Sequence, residues 1–337
     1  MSKKIWLVAL ILIGSFFLVN VQSQFQSTRE VSKFDVPLVI GYSNSAGWWP
    51  WAIAEKQGLF AHRNLDVELR WYDDYSQSLA DLRAGYIDAN CQTLSDTIIN
   101  AEQAVKGEVA IVITDSSIGN DKIMADIGIK TLEDLKDKTI AVEGGANDFL
   151  LALSLDRAKL SNEDVNVISV ETGAALEAFI ANQSEAVRVF PPYSFNALEK
   201  KGGAHEVISS AEFSDLMLNL LVVNQDLIDR HPKKVQALTD TWFDLLNFML
   251  SNLDLSNEIQ AQRAGVEPQI INLLRSGTKM YRLEDNLDAF NQGKNVLTLS
   301  SALKETADFL KNNLGLIERK PDPAKLINPQ FVKMVKR

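Results

Sequence analysis

The densest group of side chains able to do ligand chemistry is Trp48, Trp49 and Trp51. These three of the chain's six tryptophans sit inside Gly47-Trp48-Trp49-Pro50-Trp51. An indole face attracts a cation by about 0.5–2 kcal/mol, depending on how dry the contact is. Ser43 and Asn44, just ahead, offer small polar groups where an apolar run ends. A second group is acidic: Asp73, Asp74, Asp96, Asp121, Glu143 and Asp148 each fall near a strand end or a helix start. Helix N-termini favour anions, but carboxylates already placed there repel another one. Tryptophans facing acids therefore suit a small nitrogen-rich ligand, such as a guanidinium, amine, urea-like or aminopyrimidine compound. Phe190 and Tyr193 flank Pro191-Pro192 and are expected to close the cleft from its far side.

The full set of ligand-binding candidates is Ser43, Asn44, Trp48, Trp49, Trp51, Asp74, Thr93, Asp96, Asp121, Glu143, Asp148, Phe190 and Tyr193. Some of them have a purely structural alternative. Asp74 with Gln77, and Thr93 with Asp96, match capping boxes that stabilise a helix with or without a ligand. Trp48 and Trp51 share one helical face and Trp49 points elsewhere, so one of the two faces is expected to be core. Arg188 argues against a cationic ligand. Alternation along Val187-Arg188-Val189 turns it away from its neighbours, as a solvated or salt-bridged group.

Catalytic constellations are missing. His62, His205 and His231 are scattered, and neither Ser nor the single Cys91 stands in a nucleophile motif beside them. There is no His-Glu-x-x-His or Cys-x-x-Cys, and Glu143-Gly144-Gly145 is no dinucleotide fingerprint. The expectation is a binding protein without metal or cofactor. The alternatives from another class are a cleft enzyme or a sensor's ligand domain.

The elements that position these residues follow from the rest of the chain. Its 337 residues are 46% hydrophobic and 23% charged, ordinary globular composition and long enough for two domains. Basic Ser2-Lys3-Lys4, an apolar run from Ile5 to Val19 and small residues at 21–23 read as a secretory signal over 1–23. Residues 24–35 read as a flexible lead. The net charge of -10 becomes about -12 once Lys3 and Lys4 are removed, which argues against nucleic acid as a partner. One cysteine allows no internal disulfide, and none follows the apolar run to carry a lipid. A freely diffusing, monomeric periplasmic protein is expected.

From Val36 onward strands and helices alternate, which predicts a parallel α/β sheet up to about residue 117. Predicted strands include 67–71, 87–89 and 109–114. The pattern restarts over 118–216, with strands at 122–125, 139–142, 165–170 and 186–190. The apolar strand Leu218–Asn224 then returns to the first unit. Domain 1 is expected to be 36–117 with 217–337, and domain 2 an insertion of 118–216.

Several segments together resemble a known family. These are the opening Trp49-Pro50-Trp51-x-x-Ala54-x-x-x-Gly58-Leu59-Phe60, Ala84-Gly85-Tyr86-Ile87-Asp88-Ala89, and Leu132-Glu133-Asp134-Leu135-Lys136-Asp137-Lys138-Thr139-Ile140-Ala141-Val142. The chain resembles the NMT1/THI5-like solute-binding proteins of nitrate, sulfonate and taurine ABC importers, over about 36–330. The resemblance implies a two-domain periplasmic binding protein fold of type II, with the ligand in the cleft between the domains. It also implies closure on the ligand and delivery to a permease with a cytoplasmic ATPase. An alkanesulfonate, taurine or nitrate anion is the alternative ligand class. The enzyme alternative would be related to thiamine-pyrimidine synthesis, which in this superfamily depends on a cysteine cluster that is missing here.

Overall fold

The structure, a computed structural model, describes residues 36–144, 148–291 and 298–336. The signal expected at 1–23 and the lead at 24–35 lie outside the described residues. No helix among the described residues is long and apolar enough to cross a membrane.

The chain first lays down β1 (Leu38–Tyr42), β2 (Val67–Trp71), β3 (Ala89–Thr93) and β4 (Glu108–Ser117). It then builds β5 (Lys122–Ala125), β6 (Thr139–Val142), β7 (Asn166–Ser169), β8 (Ala186–Val189) and β9 (His205–Ser209), and returns through β10 (Leu218–Asn224) and β11 (Thr278–Met280). The strands form two sheets, of order β11-β4-β10-β3-β1-β2 and β7-β6-β8-β5-β9. Every strand of the second sheet therefore falls, in sequence, between β4 and β10.

Neither sheet is purely parallel, which corrects the expectation for the first unit. β1 runs parallel to β2 and β3, whereas β10 runs antiparallel to both β3 and β4. The reason is topological. The chain leaves the first sheet at the end of β4 and comes back from the second, so the returning strand must run the opposite way. In the second sheet β5 plays the same part, antiparallel to β8 and β9 while β6 pairs in parallel with β7 and β8.

All ten residues of β4 are buried, because it lies between β11 and β10 with helices packed against it. The 20-residue helix Pro232–Ser251 lays Val235, Leu238, Trp242 and Leu245 onto this core. Trp51 stacks on Phe60 with ring centres 5.8 Å apart and packs against Trp242 at 4.9 Å. The helix Tyr75–Ala84 begins and ends as the sequence indicates, between the N-cap Asp74 and a left-handed Gly85 at φ 77°. Its capping box does not form, because the Gln77 amide donates to Asp81 and leaves the Asp74 carboxylate on the Ser76 N–H. β3 starts at Ala89, two residues later than expected. There the Asp88 carboxylate leaves the ladder pattern and accepts from the Val39 N–H.

Candidate functional site

A cavity of about 390 Å³ lies where elements of the two sheets meet, large enough for a small organic molecule. From the first sheet come the loop after β1, the start of helix Tyr75–Ala84, the β3 end and the β4 end. From the second come the loops after β6, β7 and β8. These are carboxyl ends of strands, where open α/β sheets receive ligands.

Of the candidates, Ser43, Asn44, Trp48, Thr93, Asp96, Asp121, Glu143, Asp148, Phe190 and Tyr193 line this cavity. Trp49, Trp51 and Asp74 do not. Trp49 is buried against Ala261, Ile271 and Leu274. Trp51 is core, with its Nε1–H donating to Cys91 Sγ at 3.1 Å, and Asp74 is spent on its helix cap. The aromatic wall expected from three tryptophans thus reduces to Trp48, which packs on Tyr75 at 5.4 Å. Across from them, Phe190 and Tyr193 meet edge to face at 5.6 Å. The scattered histidines stay off the cavity. Cys91 is buried, and burial pushes its thiol pKa up, which suits packing and not nucleophilic attack.

The acids dominate the lining: Asp73, Asp96, Asp115, Asp121, Glu143, Asp148 and Glu171. Among the described residues the one cationic side chain on the cavity is Arg188, placed by β8 so that it faces inward. It pairs with Asp121 at 2.7 Å and Asp148 at 3.1 Å, and its side chain is 14% exposed. Burial works against its charge, but Asp148, Asp121, Glu143 and Asp96 outweigh that and keep the guanidinium cationic. The salt-bridged reading of Arg188 is therefore the one the structure takes, with its partners drawn from the same acids that argued for a cationic ligand.

The remaining acids meet neutral donors. Asp96 accepts from Tyr75 Oη at 2.9 Å and from Thr93 Oγ1, while Thr93 caps the helix Leu94–Asn100 by accepting from the Asp96 N–H. Burial raises the Asp96 pKa, and those two hydrogen bonds and Arg188 only partly offset it. Asp115 accepts from Asn219 Nδ2 and Thr114 Oγ1, both at 2.8 Å. Its pKa is pushed up to about 6 by burial. A Cβ on Gly47 would sit 2.0 Å from the Asp115 Cγ, so only glycine lets this loop lie over the carboxylate. Glu143 accepts from Thr172 Oγ1, and Glu171 accepts from the N–H groups of Gly173 and Ala174 at the start of the next helix. Burial raises the Asp148 pKa as well, with Arg188 opposing it. Ser43 Oγ and Trp48 Nε1 are buried without a hydrogen-bond partner among the described residues.

Tyr75, Asp115 and Glu171 were not among the sequence candidates, and Asp73 stood only in the acidic group. A signal existed for Asp115, an acid directly after the unbroken apolar run of β4. Tyr75 carried none, since a tyrosine behind an N-cap reads as packing. Among the described residues no group of three or more His, Cys, Asp or Glu side chains could hold a metal ion.

The sequence model of the NMT1-like family matches residues 34–262. A putative binding protein of Brucella abortus (strain 2308) is 26% identical over 234 residues, which is 68% of this chain and 72% of the relative. The taurine-binding periplasmic protein of Escherichia coli (strain K12) is 23% identical over 311 residues, 88% of this chain and 93% of that one. Among solved structures, the alkanesulfonate-binding protein of Xanthomonas axonopodis pv. citri bound to MOPS superposes with a TM-score of 0.71 at 18% identity. That match covers 88% of this chain and 99% of the other.

Proposed function

This chain belongs to the NMT1-like family, and from that premise we propose that it is the periplasmic solute-capturing component of an ABC importer. Its ligand in this reading is a small organic molecule whose cationic or hydrogen-bond-donating nitrogen faces the carboxylates of the cavity. One observation carries the ligand class: among the described residues seven carboxylates and one guanidinium line the cavity, and that guanidinium is already shared between two of them. A second anion brought into such a space meets like charge at low effective dielectric, while a cation or a cluster of N–H donors is attracted. Residues 36–117 with 217–337 act as one closing body and 118–216 as the other. Contacts from both bodies favour the closed form, which a permease with its cytoplasmic ATPase then recognises.

The second reading, a sulfonate, taurine or nitrate ligand, is favoured by the buried Arg188 and by what the Escherichia coli and Xanthomonas relatives bind according to their names. A thermal-shift panel separates the two. A ligand present at about 100 times its dissociation constant adds roughly 2.7 kcal/mol to stability. Methylguanidine, alkylamines, urea and aminopyrimidines are expected to raise the melting temperature, and methanesulfonate and nitrate to leave it unchanged. The opposite pattern would establish the anion reading and discard the first.

A further inference from the structure

The helix Phe149–Arg157 opens Phe-Leu-Leu-Ala-Leu-Ser-Leu, which leaves it no face for water along its first two turns. A helix apolar all round needs burial on every side, and this one gets it from two cores. Leu150, Leu151 and Leu155 pack with the second sheet. Phe149 and Leu153 are 8% and 7% exposed and join the core of the first sheet. Phe149 meets Phe309 of the helix Leu299–Asn312 edge to face at 5.8 Å. Further along the same stripe, Asp156 Oδ1 accepts from Asn313 Nδ2 at 2.8 Å.

Elsewhere the two bodies are joined by the chain itself, where it crosses between the sheets after β4 and before β10. There Asn120 Nδ2 donates to Leu274 O at 2.9 Å and to Thr278 Oγ1 at 2.7 Å, and the Gly119 N–H donates to Ser210 Oγ at 2.8 Å. A different junction lies on the cavity wall, where the half-buried Tyr193 and Asn44 share a side-chain hydrogen bond. The junctions differ in what parting them exposes. Separating Phe149 and Leu153 from Phe309 puts large apolar side chains into water, whereas parting Tyr193 from Asn44 exchanges one hydrogen bond for others with water.

We infer that the seam of Phe149, Leu153 and Phe309 stays shut throughout the motion, and that the cleft opens at Tyr193 and Asn44 by rotation about a line through the seam and the crossings. Two rigid bodies held at two separate places keep only that one rotation. The inference rests on the closing motion proposed above and adds which contacts it breaks and which it keeps. Asp148, the N-cap of the seam helix, and its partner Arg188 then hold their place against the first sheet in the open form. Part of the cavity wall is thus assembled before any ligand arrives, which lowers the ordering cost of capture.

The test is double electron–electron resonance on the protein without ligand, with nitroxide labels on introduced cysteines. Gln77→Cys with Leu198→Cys reports on the opening side, and Lys159→Cys with Lys304→Cys reports on the seam. All four positions are exposed, and the native Cys91 is buried away from the label. In a Tyr193→Phe background, which lacks the hydrogen bond to Asn44, the opening pair should spread over a wider range of distances than the seam pair. The seam pair should keep its wild-type distribution there and broaden only in Phe309→Ala. Circular dichroism melts check that both variants fold, and if Phe309→Ala does not, the comparison of the two pairs in Tyr193→Phe decides alone. A seam pair that spreads together with the opening pair, or that ignores Phe309→Ala while the opening pair moves, would overturn the permanent seam. An opening pair held at one distance in wild type and both variants would instead sink the closing motion on which the inference rests.

Discussion

Replacing Arg188 by methionine is the most informative single perturbation. The guanidinium sits between Asp121 and Asp148 at 2.7 and 3.1 Å, and the three side chains are only 14%, 17% and 10% exposed. Removing one partner of a buried ion pair leaves charge without compensation, at a typical cost of 3–5 kcal/mol. The cost depends on pH, and its sign follows from Asp148. Burial raises the folded-state pKa of that carboxyl even with Arg188 opposing, and loss of the guanidinium raises it further. A carboxyl with a raised folded pKa destabilises the fold when ionised. The penalty is absent below its unfolded value near 4 and complete above its folded value. Urea unfolding of wild type and Arg188→Met at pH 8 should therefore differ by about 3–5 kcal/mol, and the gap should shrink by half or more at pH 5. Methylguanidine should bind the variant at least as tightly as wild type, because two carboxylates are released. A gap below about 1 kcal/mol at pH 8, or one of equal size at both pH values, would refute the buried-pair argument. Loss of methylguanidine binding together with retained fold would refute the charge argument for the ligand.

Two more predictions concern neighbouring residues. Trp51→Ala should cost about 3–5 kcal/mol of stability by opening a void between Phe60 and Trp242, and should leave ligand-induced fluorescence quenching in place. Trp48→Ala should abolish that quenching at a smaller cost in stability, and equal outcomes for the two variants would place both rings in one role. For Asp115, with a pKa pushed up to about 6 by burial, the charge costs nothing below about pH 4 and its full amount above about pH 6. Asp115→Asn should therefore be more stable than wild type at pH 8, by on the order of 2–3 kcal/mol. The advantage should vanish by pH 4, and a difference that does not change with pH in paired urea titrations would contradict this.

The expected fold was legible because its signals are local or nearly so. The apolar run of β10 matched Leu218–Asn224 residue for residue, and Asp74 and Gly85 marked both ends of their helix, since caps and left-handed glycines act within one turn. The direction of β10 was not legible. Running antiparallel depends on the chain having crossed to another sheet and back, a fact about topology that no window of residues contains. The site divides in the same way. Composition and spacing were enough to show an acidic lining, a Trp48 region beside it, and Phe190 with Tyr193 opposite, because strand ends and helix starts lie together in this class of fold.

Only the tertiary structure decided which tryptophan faces the cavity. Spacing puts Trp48 and Trp51 on one helical face, but the helix starts only at Trp51, and packing sends Trp48 to the cavity wall, Trp49 against Ala261 and Leu274, and Trp51 onto Cys91 and Trp242. It also decided the charge balance. Arg188 stands 67 residues from Asp121 and 40 from Asp148 in sequence, and nothing short of β8 pairing with β5 and β6 brings the three together. Residue types are written in the chain, but Coulomb energy depends on distance and burial, and those exist only once the two sheets have formed.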